Sequence, residues 1–386
     1  MTCRRYNDLS MNIAFTHTGF PGGGAERVTK DIANYLSKFG NKYKVYVFTK
    51  HIAEDLLTPD HTDNIKLEET HNHSTEEIIG LIEKHHIDIL VQSSFPLKGI
   101  RKIKKRTGVK VIFTSHEEPF WKRYTKQRGF FQKLIYSLTP KSQRASFRYR
   151  QAVRWTQSAY NSADIFTVLC DEYKEIIRKE LNLGDCHHIV SIENPEYLVE
   201  NINYNKEKII LYSGRLDQMS KQLDKLLRIW QRIQSRLPDW KLIISGDGQD
   251  KTLLHNEAER LKLERCDFIG QQNDMRQWYD KASIVCLTSR TEGWPLCMTE
   301  AQAHGCIGIA FGCTAGVENI LSSDGDKVCG FIVPPYDEEK YAETLIYITE
   351  LPQIEQESIR RNAVLKRSRY VPETIAEKWR LLFESL

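Results

Sequence analysis

Residues 282–305 read A-S-I-V-C-L-T-S-R-T-E-G-W-P-L-C-M-T-E-A-Q-A-H-G and predict a strand, a loop and a helix. Residues 282–289 are a short apolar run bounded by polar residues, which is the pattern of a buried parallel strand. Pro295 suits the first position of a helix, and Gly305 suits the left-handed position after its end. Residues 307–311 begin another strand, so the unit is strand, loop, helix, strand.

Two glutamates lie in this unit, Glu292 on the loop and Glu300 inside the helix. Ligands of parallel α/β sheets bind at the carboxyl ends of the strands, where this loop must lie. Carboxylates accept hydrogen bonds from hydroxyl groups, and free amides at a helix N-terminus bind phosphate oxygens. A ligand with hydroxyls and phosphates, such as a nucleotide sugar, satisfies both.

The residues around these glutamates, E-G-W-P-L and E-A-Q-A-H-G, resemble the E-x7-E signature of the retaining glycosyltransferases of family 4. G-R-L and G-D-G occur upstream in the order that this family shows. The resemblance implies an α/β protein of the GT-B fold, with two Rossmann-like, doubly wound parallel-sheet domains facing a cleft. It is most specific across residues 209–345 and weaker before them.

The expected domain boundary lies at a polar stretch without periodicity, residues 196–206. Residues 1–195 are predicted to form an acceptor-binding Rossmann-like domain, and residues 196–370 a nucleotide-sugar-binding one. The resemblance implies that a C-terminal helix, about residues 371–386, packs back on the first domain.

Two cations follow the strand predicted to begin at Ile209. Gly214 lets the backbone turn, and Arg215 and Lys221 come after it, where a diphosphate can bind. Exposed cations on loops are often only solvated, but the resemblance implies that these two bind the donor pyrophosphate and stabilise it as it leaves. Lys221 is followed by Gln222, where the family most often has glycine.

The resemblance also assigns roles within the E-x7-E stretch. Glu292 is expected to hold sugar hydroxyls near the reacting carbon, and Glu300 to bind the ribose hydroxyls. Pro295 has no N–H, so the phosphate is expected to use the amides of Leu296 and Cys297. Trp294 is expected to shape the sugar pocket.

Further donor contacts are expected on two loops of the second domain. The G-D-G turn includes Gly246 and Asp247, and a purely structural turn explains it equally well. Gln271, after D-F-I-G, is expected to face the base. A later loop with Gly312, Gly316 and Glu318 resembles the family's glycine-containing loop, with a different spacing.

In the first domain, Gly22, Gly23 and Gly24 follow the predicted strand 11–16 and precede a helix, so the backbone can approach a ligand there. A glycine-rich turn without a ligand is the simpler alternative. His116 follows the predicted strand 110–114. A single histidine is often structural, but the resemblance implies contact with the donor sugar or its leaving phosphate.

Residues 98–154 are strongly basic, although the net charge of the chain is only +4. Seventeen lysines and arginines in this segment are opposed locally by Glu117 and Glu118 alone: Lys98, Arg101, Lys102, Lys104, Lys105, Arg106, Lys110, Lys122, Arg123, Lys126, Arg128, Lys133, Lys141, Arg144, Arg148, Arg150 and Arg154. Aromatic residues accompany them across 121–160. The region 98–155 therefore predicts docking to an anionic membrane surface. Inward-packed aromatics with solvated charges are the alternative, and nucleic acid is disfavoured because no binding motif accompanies the charge.

Composition indicates a cytoplasmic protein, with peripheral attachment to the inner face of the plasma membrane as a hypothesis. No apolar run reaches the roughly 20 residues that span a bilayer. The nine cysteines are scattered without metal-ligand spacing, which indicates reduced thiols. We expect no metal and no cofactor other than the nucleotide sugar, and Asp324 to Asp326, the one D-x-D, lies before a strand rather than after one.

The predicted activity is transfer of a hexosyl or N-acetylhexosaminyl unit, from a UDP-sugar in preference to other donors, to a glycan or lipid-linked acceptor in cell-surface polysaccharide synthesis. Retention of anomeric configuration is implied by the resemblance alone. Two alternatives remain: a GT-B nucleotide-sugar epimerase, and a non-catalytic nucleotide-sugar-binding scaffold at the membrane.

Overall fold

A computed structural model of the chain describes residues 10–93, 97–124, 141–184 and 188–386. These residues divide into two compact units. Unit 1 comprises the described residues up to Pro195 together with Pro372–Leu386, and unit 2 comprises Glu196–Val371.

Unit 1 is built on a parallel sheet of seven described strands in the order β3-β2-β1-β4-β5-β6-β7. The strands are β1 (Met11–His17), β2 (Tyr43–Thr49), β3 (Ile65–Glu69), β4 (Ile89–Ser93), β5 (Lys110–Thr114), β6 (Ile165–Val168) and β7 (Ile189–Ser191). The helices are α1 (Gly24–Ser37), α2 (Pro59–Thr62), α3 (Thr75–His85), α4 (Ile100–Thr107), α5 (Arg144–Tyr160) and α6 (Asp171–Glu180). Strand β3 and helix α4 were not anticipated, because a charged edge strand and a lysine-rich helix lack a strong apolar period.

Unit 2 has six described strands in the order β10-β9-β8-β11-β12-β13, also parallel. They are β8 (Glu207–Ser213), β9 (Lys241–Ser245), β10 (Cys266–Gly270), β11 (Ala282–Leu287), β12 (Ile307–Phe311) and β13 (Phe331–Val333). Helices α7 (Leu223–Ile233), α8 (Lys251–Arg260), α9 (Arg276–Lys281), α10 (Leu296–Ala303), α11 (Ala315–Leu321), α12 (Glu338–Glu350) and α13 (Gln353–Arg367) belong to the same unit. The central strands are buried almost throughout, as a sheet covered on both faces requires.

The last helix, α14 (Pro372–Glu384), belongs to unit 1 rather than to the unit that precedes it in the chain. It packs against α1. The Trp379 and Phe383 side chains are buried, and the Phe383 ring lies edge-on to Phe15 of β1, 6.4 Å away between ring centroids.

Each sheet has one position where the strand order reverses, and such a position opens a crevice at the carboxyl ends of the strands. In unit 1 it lies between β1 and β4, so that His17 stands beside it. In unit 2 it lies between β8 and β11. The loops after these two strands carry Arg215, Lys221 and Glu292. The doubly wound parallel architecture expected from the sequence is confirmed for both units.

Candidate functional site

The loops after β8 and β9 of unit 2 meet at glycines. Gly246 has φ +146°, and a Cβ there would overlap the carbonyl oxygen of Gly214. Leu216 N–H donates to the Asp247 carbonyl over 2.9 Å, and Gly214 N–H to that of Ser245 over 3.1 Å. G-R-L and G-D-G are therefore glycine-rich because two backbones touch here.

Lys221 and Glu292 form an ion pair next to the strand reversal. Lys221 Nζ donates to Glu292 Oε1 over 2.6 Å, and Ser289 Oγ donates to the same oxygen over 2.5 Å. Glu292 is only 9% exposed. Glu292, which was predicted to bind the sugar, and Lys221, which was predicted to bind the phosphate, thus lie in one site.

The pKa of Lys221 is raised. Burial by itself lowers it, but the neighbouring Glu292 carboxylate outweighs that effect. Lys221 is therefore a cation at neutral pH. An ammonium group has three donor hydrogens, so it can keep its bond to Glu292 and still donate to a phosphate oxygen.

Helix α10 carries the second glutamate of the motif. Tyr279 Oη donates to Glu300 Oε2 over 2.9 Å. Pro295 is the residue before the helix, not its first residue as predicted, and no side chain caps the N-terminus, where Leu296 and Cys297 lie. Gly305 has the expected left-handed φ of +69°, and Cys306 N–H donates to the Ala301 carbonyl, closing the helix.

Polar contacts also hold α10 and the segments next to it. Thr299 Oγ1 donates to Glu196 Oε2 over 2.7 Å, and Gln302 Nε2 donates to the carbonyls of Ile320 and Cys329. Lys206 Nζ donates to three carbonyls, those of Tyr279, Asp280 and His304. These contacts fix the helix that presents Glu300.

Burial raises the pKa of the Cys297 thiol to about 12, and the nearby Glu292 and Glu300 carboxylates add to this effect. Cys297 is thus a neutral thiol at the start of the helix, and any role in phosphate binding would belong to its amide.

Trp294 lies inward. It is 5% exposed, its ring centroid is 6.1 Å from that of Tyr370, and the guanidinium carbon of Arg367 lies 6.0 Å from its ring. Arg367 is fully buried and also stacks on Tyr370 at 4.3 Å. Trp294 therefore anchors the loop after Glu292, a contact that the sequence did not reveal.

Three other predicted donor residues lie on the loops of unit 2. Arg215 and Gln271 are exposed. Asp247 Oδ2 pairs with Lys251 Nζ at 3.2 Å, and Asp247 Oδ1 accepts from the Gly248 amide. Arg215 lies close enough to Lys221 for its positive charge to oppose the raising of the Lys221 pKa.

In unit 1, His116 belongs to a cluster of polar residues. Burial lowers its pKa to about 4, and the neighbouring His17 adds to the effect. It forms a hydrogen bond with the Asn194 side chain, and its Nδ1 is buried without a partner among the described residues. His116 is therefore a neutral imidazole at physiological pH.

His17 and Glu26 complete this cluster, and sequence reasoning missed both. His17 is 3% exposed, with Nε2 2.8 Å from Thr29 Oγ1 and Nδ1 3.5 Å from Glu26 Oε1. Burial raises the pKa of Glu26, but its contacts with His17 lower it overall. A Cβ on Gly23 would lie 2.5 Å from Glu26 Oε2, so a larger residue there would displace this carboxylate. The sequence feature that could have revealed them is a histidine at the end of the first strand followed by a glutamate just after the glycines.

The basic region is partly neutralised by acids from distant parts of unit 1. Glu76 pairs with Lys102 and with Arg106, and Asp164 pairs with Lys104 at 2.9 Å. Arg101, Lys105, Arg150 and Arg154 are exposed.

Three half-buried aromatic residues of this region contact other rings: Trp155 contacts the rings of Phe113 and Trp121, and Tyr149 contacts that of Phe120. Lys126, Arg128, Lys133 and the aromatics of 125–140 lie outside the described residues.

Within the described ranges, no cluster of three or more histidine, cysteine or acidic side chains has the arrangement of a metal site. Asp324 of the D-x-D pairs with Arg369 at 2.6 Å. The seven cysteines in these ranges form no disulfide. Among the helices that the structure describes, none has the length and apolar composition to cross a bilayer.

Two family models match the chain. Glycosyltransferase Family 4 matches residues 22–195, and Glycosyl transferases group 1 matches residues 193–365. An uncharacterized glycosyltransferase of Haemophilus influenzae is 32% identical over 218 residues, which are 55% of this chain and 60% of the relative. The chain thus covers less than two thirds of that protein.

A relative from Campylobacter jejuni is matched over almost the whole length. It is the GalNAc-alpha-(1->4)-GalNAc-alpha-(1->3)-diNAcBac-PP-undecaprenol alpha-1,4-N-acetyl-D-galactosaminyltransferase, 23% identical over 96% of this chain and 97% of its own. Among solved structures, Anabaena HepE in complex with UDP and glucose superposes with a TM-score of 0.74, at 16% identity, over 97% of this chain and all of that one. At this identity the structural likeness shows the fold alone.

Proposed function

Because residues 22–195 form a domain of Glycosyltransferase Family 4 and residues 193–365 a domain of the group 1 glycosyl transferases, we propose that this chain is a retaining glycosyltransferase. It moves a hexosyl or N-acetylhexosaminyl unit from a UDP-sugar to a glycan or lipid-linked acceptor in cell-surface polysaccharide synthesis. The observation that carries the proposal is the Lys221–Glu292 pair beside the strand reversal of unit 2.

The chemistry of transfer suits this pair. The anomeric carbon gains positive charge as its bond to the diphosphate breaks, and negative charge grows on the leaving group. Lys221, with Arg215 and the first amides of α10, supplies the opposing field, which contributes several kcal/mol, about 3 or more, to such reactions. Glu292 accepts hydrogen bonds from sugar hydroxyls through the remaining lone pairs of its carboxylate.

Retention requires attack from the face that the diphosphate leaves. In this proposal a donor phosphate oxygen takes the proton of the acceptor hydroxyl while the new glycosidic bond forms and the bond to the diphosphate breaks. No protein carboxylate has to form a covalent intermediate. We expect no metal to be required.

The choice of donor and acceptor rests on the relatives. HepE has been solved with UDP and glucose, and the Campylobacter jejuni relative is named for a polyprenyl-diphosphate acceptor. We infer a UDP-sugar and a lipid-linked or glycan acceptor of this class for the present chain.

The test is turnover by the purified protein with a panel of UDP-, GDP- and ADP-sugars and a lipid-extract acceptor, with and without EDTA. We expect EDTA-resistant transfer from one donor and a loss of about 100-fold in kcat for Glu292→Gln. Glu338→Gln is the matched control, because Glu338 is also an ion-paired and mostly shielded glutamate of unit 2 but lies at the start of α12. Nucleotide-sugar binding without transfer or hydrolysis would contradict the proposal and favour a scaffold.

Attachment to an anionic membrane is a second part of the proposal. Arg101, Lys105, Arg150 and Arg154 are among the exposed cations of the region and support it. Each basic residue near anionic headgroups contributes about 1 kcal/mol. Flotation with vesicles containing anionic lipid tests it: we expect binding at low salt that falls at high salt, and protein that stays unbound at low salt would contradict it.

A further inference from the structure

Gln222 occupies a backbone conformation that favours glycine. Its φ and ψ are +49° and +42°, in the left-handed region, and it is the residue immediately before α7. A residue with a Cβ is strained there. The glutamine side chain is also 6% exposed, so the fold holds a polar group inside at a strained position.

The buried amide has a charged partner. With its oxygen facing Arg290, Gln222 Oε1 accepts from Arg290 Nη2 over 3.0 Å and from Nε over 3.3 Å. A guanidinium that donates two hydrogen bonds to one oxygen is fixed in direction as well as in distance.

Arg290 connects two loops. Its backbone N–H donates to the Ser220 carbonyl over 2.7 Å. Thr288 Oγ1 donates to the Gln222 carbonyl over 3.2 Å and to the Lys221 carbonyl over 3.3 Å. Residues 220–222 and 288–292 are therefore joined through the backbone, a hydroxyl and a guanidinium, and the Lys221–Glu292 pair spans the same two loops.

We propose that Gln222 is a positioning residue for the sugar transfer: by holding Arg290 it fixes the loop that bears Ser289 and Glu292 relative to Lys221. This inference rests on the proposed function and extends it to a residue outside the E-x7-E motif. Gln222 acts through Arg290 and needs no contact with the donor.

The strain allows a test that separates positioning from folding. Gln222→Gly removes the side chain and relieves the backbone, so we expect a Tm within about 2 °C of wild type but a kcat lower by about tenfold. Arg290→Lys keeps the charge and loses the two-point contact, and we expect a similar loss. The double variant is expected to be no slower than either single one, because both remove the same interaction.

Two further variants complete the experiment. Gln222→Glu keeps an acceptor for Arg290, and we expect it to retain at least about half of the wild-type kcat. Lys262→Gly is the matched control: Lys262 is also left-handed, with φ +50°, but it is exposed and follows α8. It relieves the same kind of strain, and we expect an unchanged kcat.

Wild-type turnover in Gln222→Gly, or losses that multiply in the double variant, would overturn the positioning role. A wild type that transfers no sugar would instead overturn the proposed function. Hydrogen exchange across residues 288–293 then decides the positioning role by itself: faster exchange in Gln222→Gly than in Lys262→Gly supports it, and equal exchange overturns it.

Discussion

The ammonium of Lys221 and the carboxylate of Glu292 lie 2.6 Å apart in the proposed donor site, and both are mostly shielded from solvent. A buried pair is costly to form but more costly to halve, because the remaining charge has neither water nor a partner. The pair therefore ties the stability of unit 2 to the arrangement of the site.

Lys221→Met tests this coupling. We expect it to lower the free energy of unfolding by about 3 kcal/mol at pH 7, and Lys221→Met combined with Glu292→Gln to recover about half of that loss. Because the pKa of Lys221 is raised, its contribution is fully present below the ordinary lysine pKa of 10.5 and is lost only as the pH rises through the raised value. Urea unfolding at pH 7 and 9 should give the same penalty, and purely additive losses in the double variant would contradict the coupling.

His116 predicts a loss of stability in acid. The pKa of His116 is about 4 in the folded chain, against an ordinary value of 6.5. As the pH falls, the unfolded chain therefore binds a proton at this histidine before the folded chain does. From pH 7.5 to pH 5 this group should remove about 2 kcal/mol from the free energy of unfolding.

The measurement for His116 is urea unfolding across this pH range in wild type and His116→Gln. Between pH 7.5 and pH 5, the free energy of unfolding should fall by about 2 kcal/mol less in the variant than in wild type. Parallel curves would mean that His116 is not held neutral by burial.

At the scale of elements, the loops after β8 and β9 depend on glycine for their contact. Gly246 combines φ +146° with a position where a Cβ would overlap the Gly214 carbonyl oxygen. Neither the torsion nor the overlap can relax unless the loop that carries Arg215 moves.

Gly246→Ala should therefore destabilise the protein by about 3 kcal/mol or more and weaken nucleotide-sugar binding. Gly325→Ala is the control, since Gly325 has φ +60° but open space around its Cα, so only the torsional strain of about 1 kcal/mol applies. Thermal unfolding and a UDP titration measure the two effects. Equal losses in both variants would show that the close approach of the loops contributes nothing.

At the scale of the whole molecule, the chain order and the spatial order differ. Helix α14 follows unit 2 in the chain but packs on α1 of unit 1, where Tyr35 Oη donates to Glu377 Oε2 over 3.0 Å. Its Trp379 and Phe383 side chains are buried. The stability of unit 1 thus depends on residues that follow unit 2 in the chain.

Trp379→Ala should remove about 3–5 kcal/mol from unit 1 through the cavity that it leaves. Trp230→Ala is the counterpart in unit 2, where Trp230 is 1% exposed on α7. Hydrogen exchange resolved along the sequence should show faster opening of 10–195 in the first variant and of 196–371 in the second. Faster exchange in unit 2 alone for Trp379→Ala would contradict the assignment of α14.

Local patterns were enough to predict the strand, loop and helix of residues 282–305, because apolar runs and end residues act over a few positions. The parallel class of both sheets was predicted from the family resemblance. The order in which the strands pair, and hence the approach of Lys221 to Glu292, arises from contacts between segments about 70 residues apart. The acids that neutralise part of the basic region, Glu76 and Asp164, could not be found by counting charges within 98–154 for the same reason. Gln222 shows most clearly what sequence alone cannot predict. The sequence shows a glutamine where the family most often has glycine, but the left-handed backbone of Gln222 and its hydrogen bonds from Arg290 appear only when the two loops are brought together.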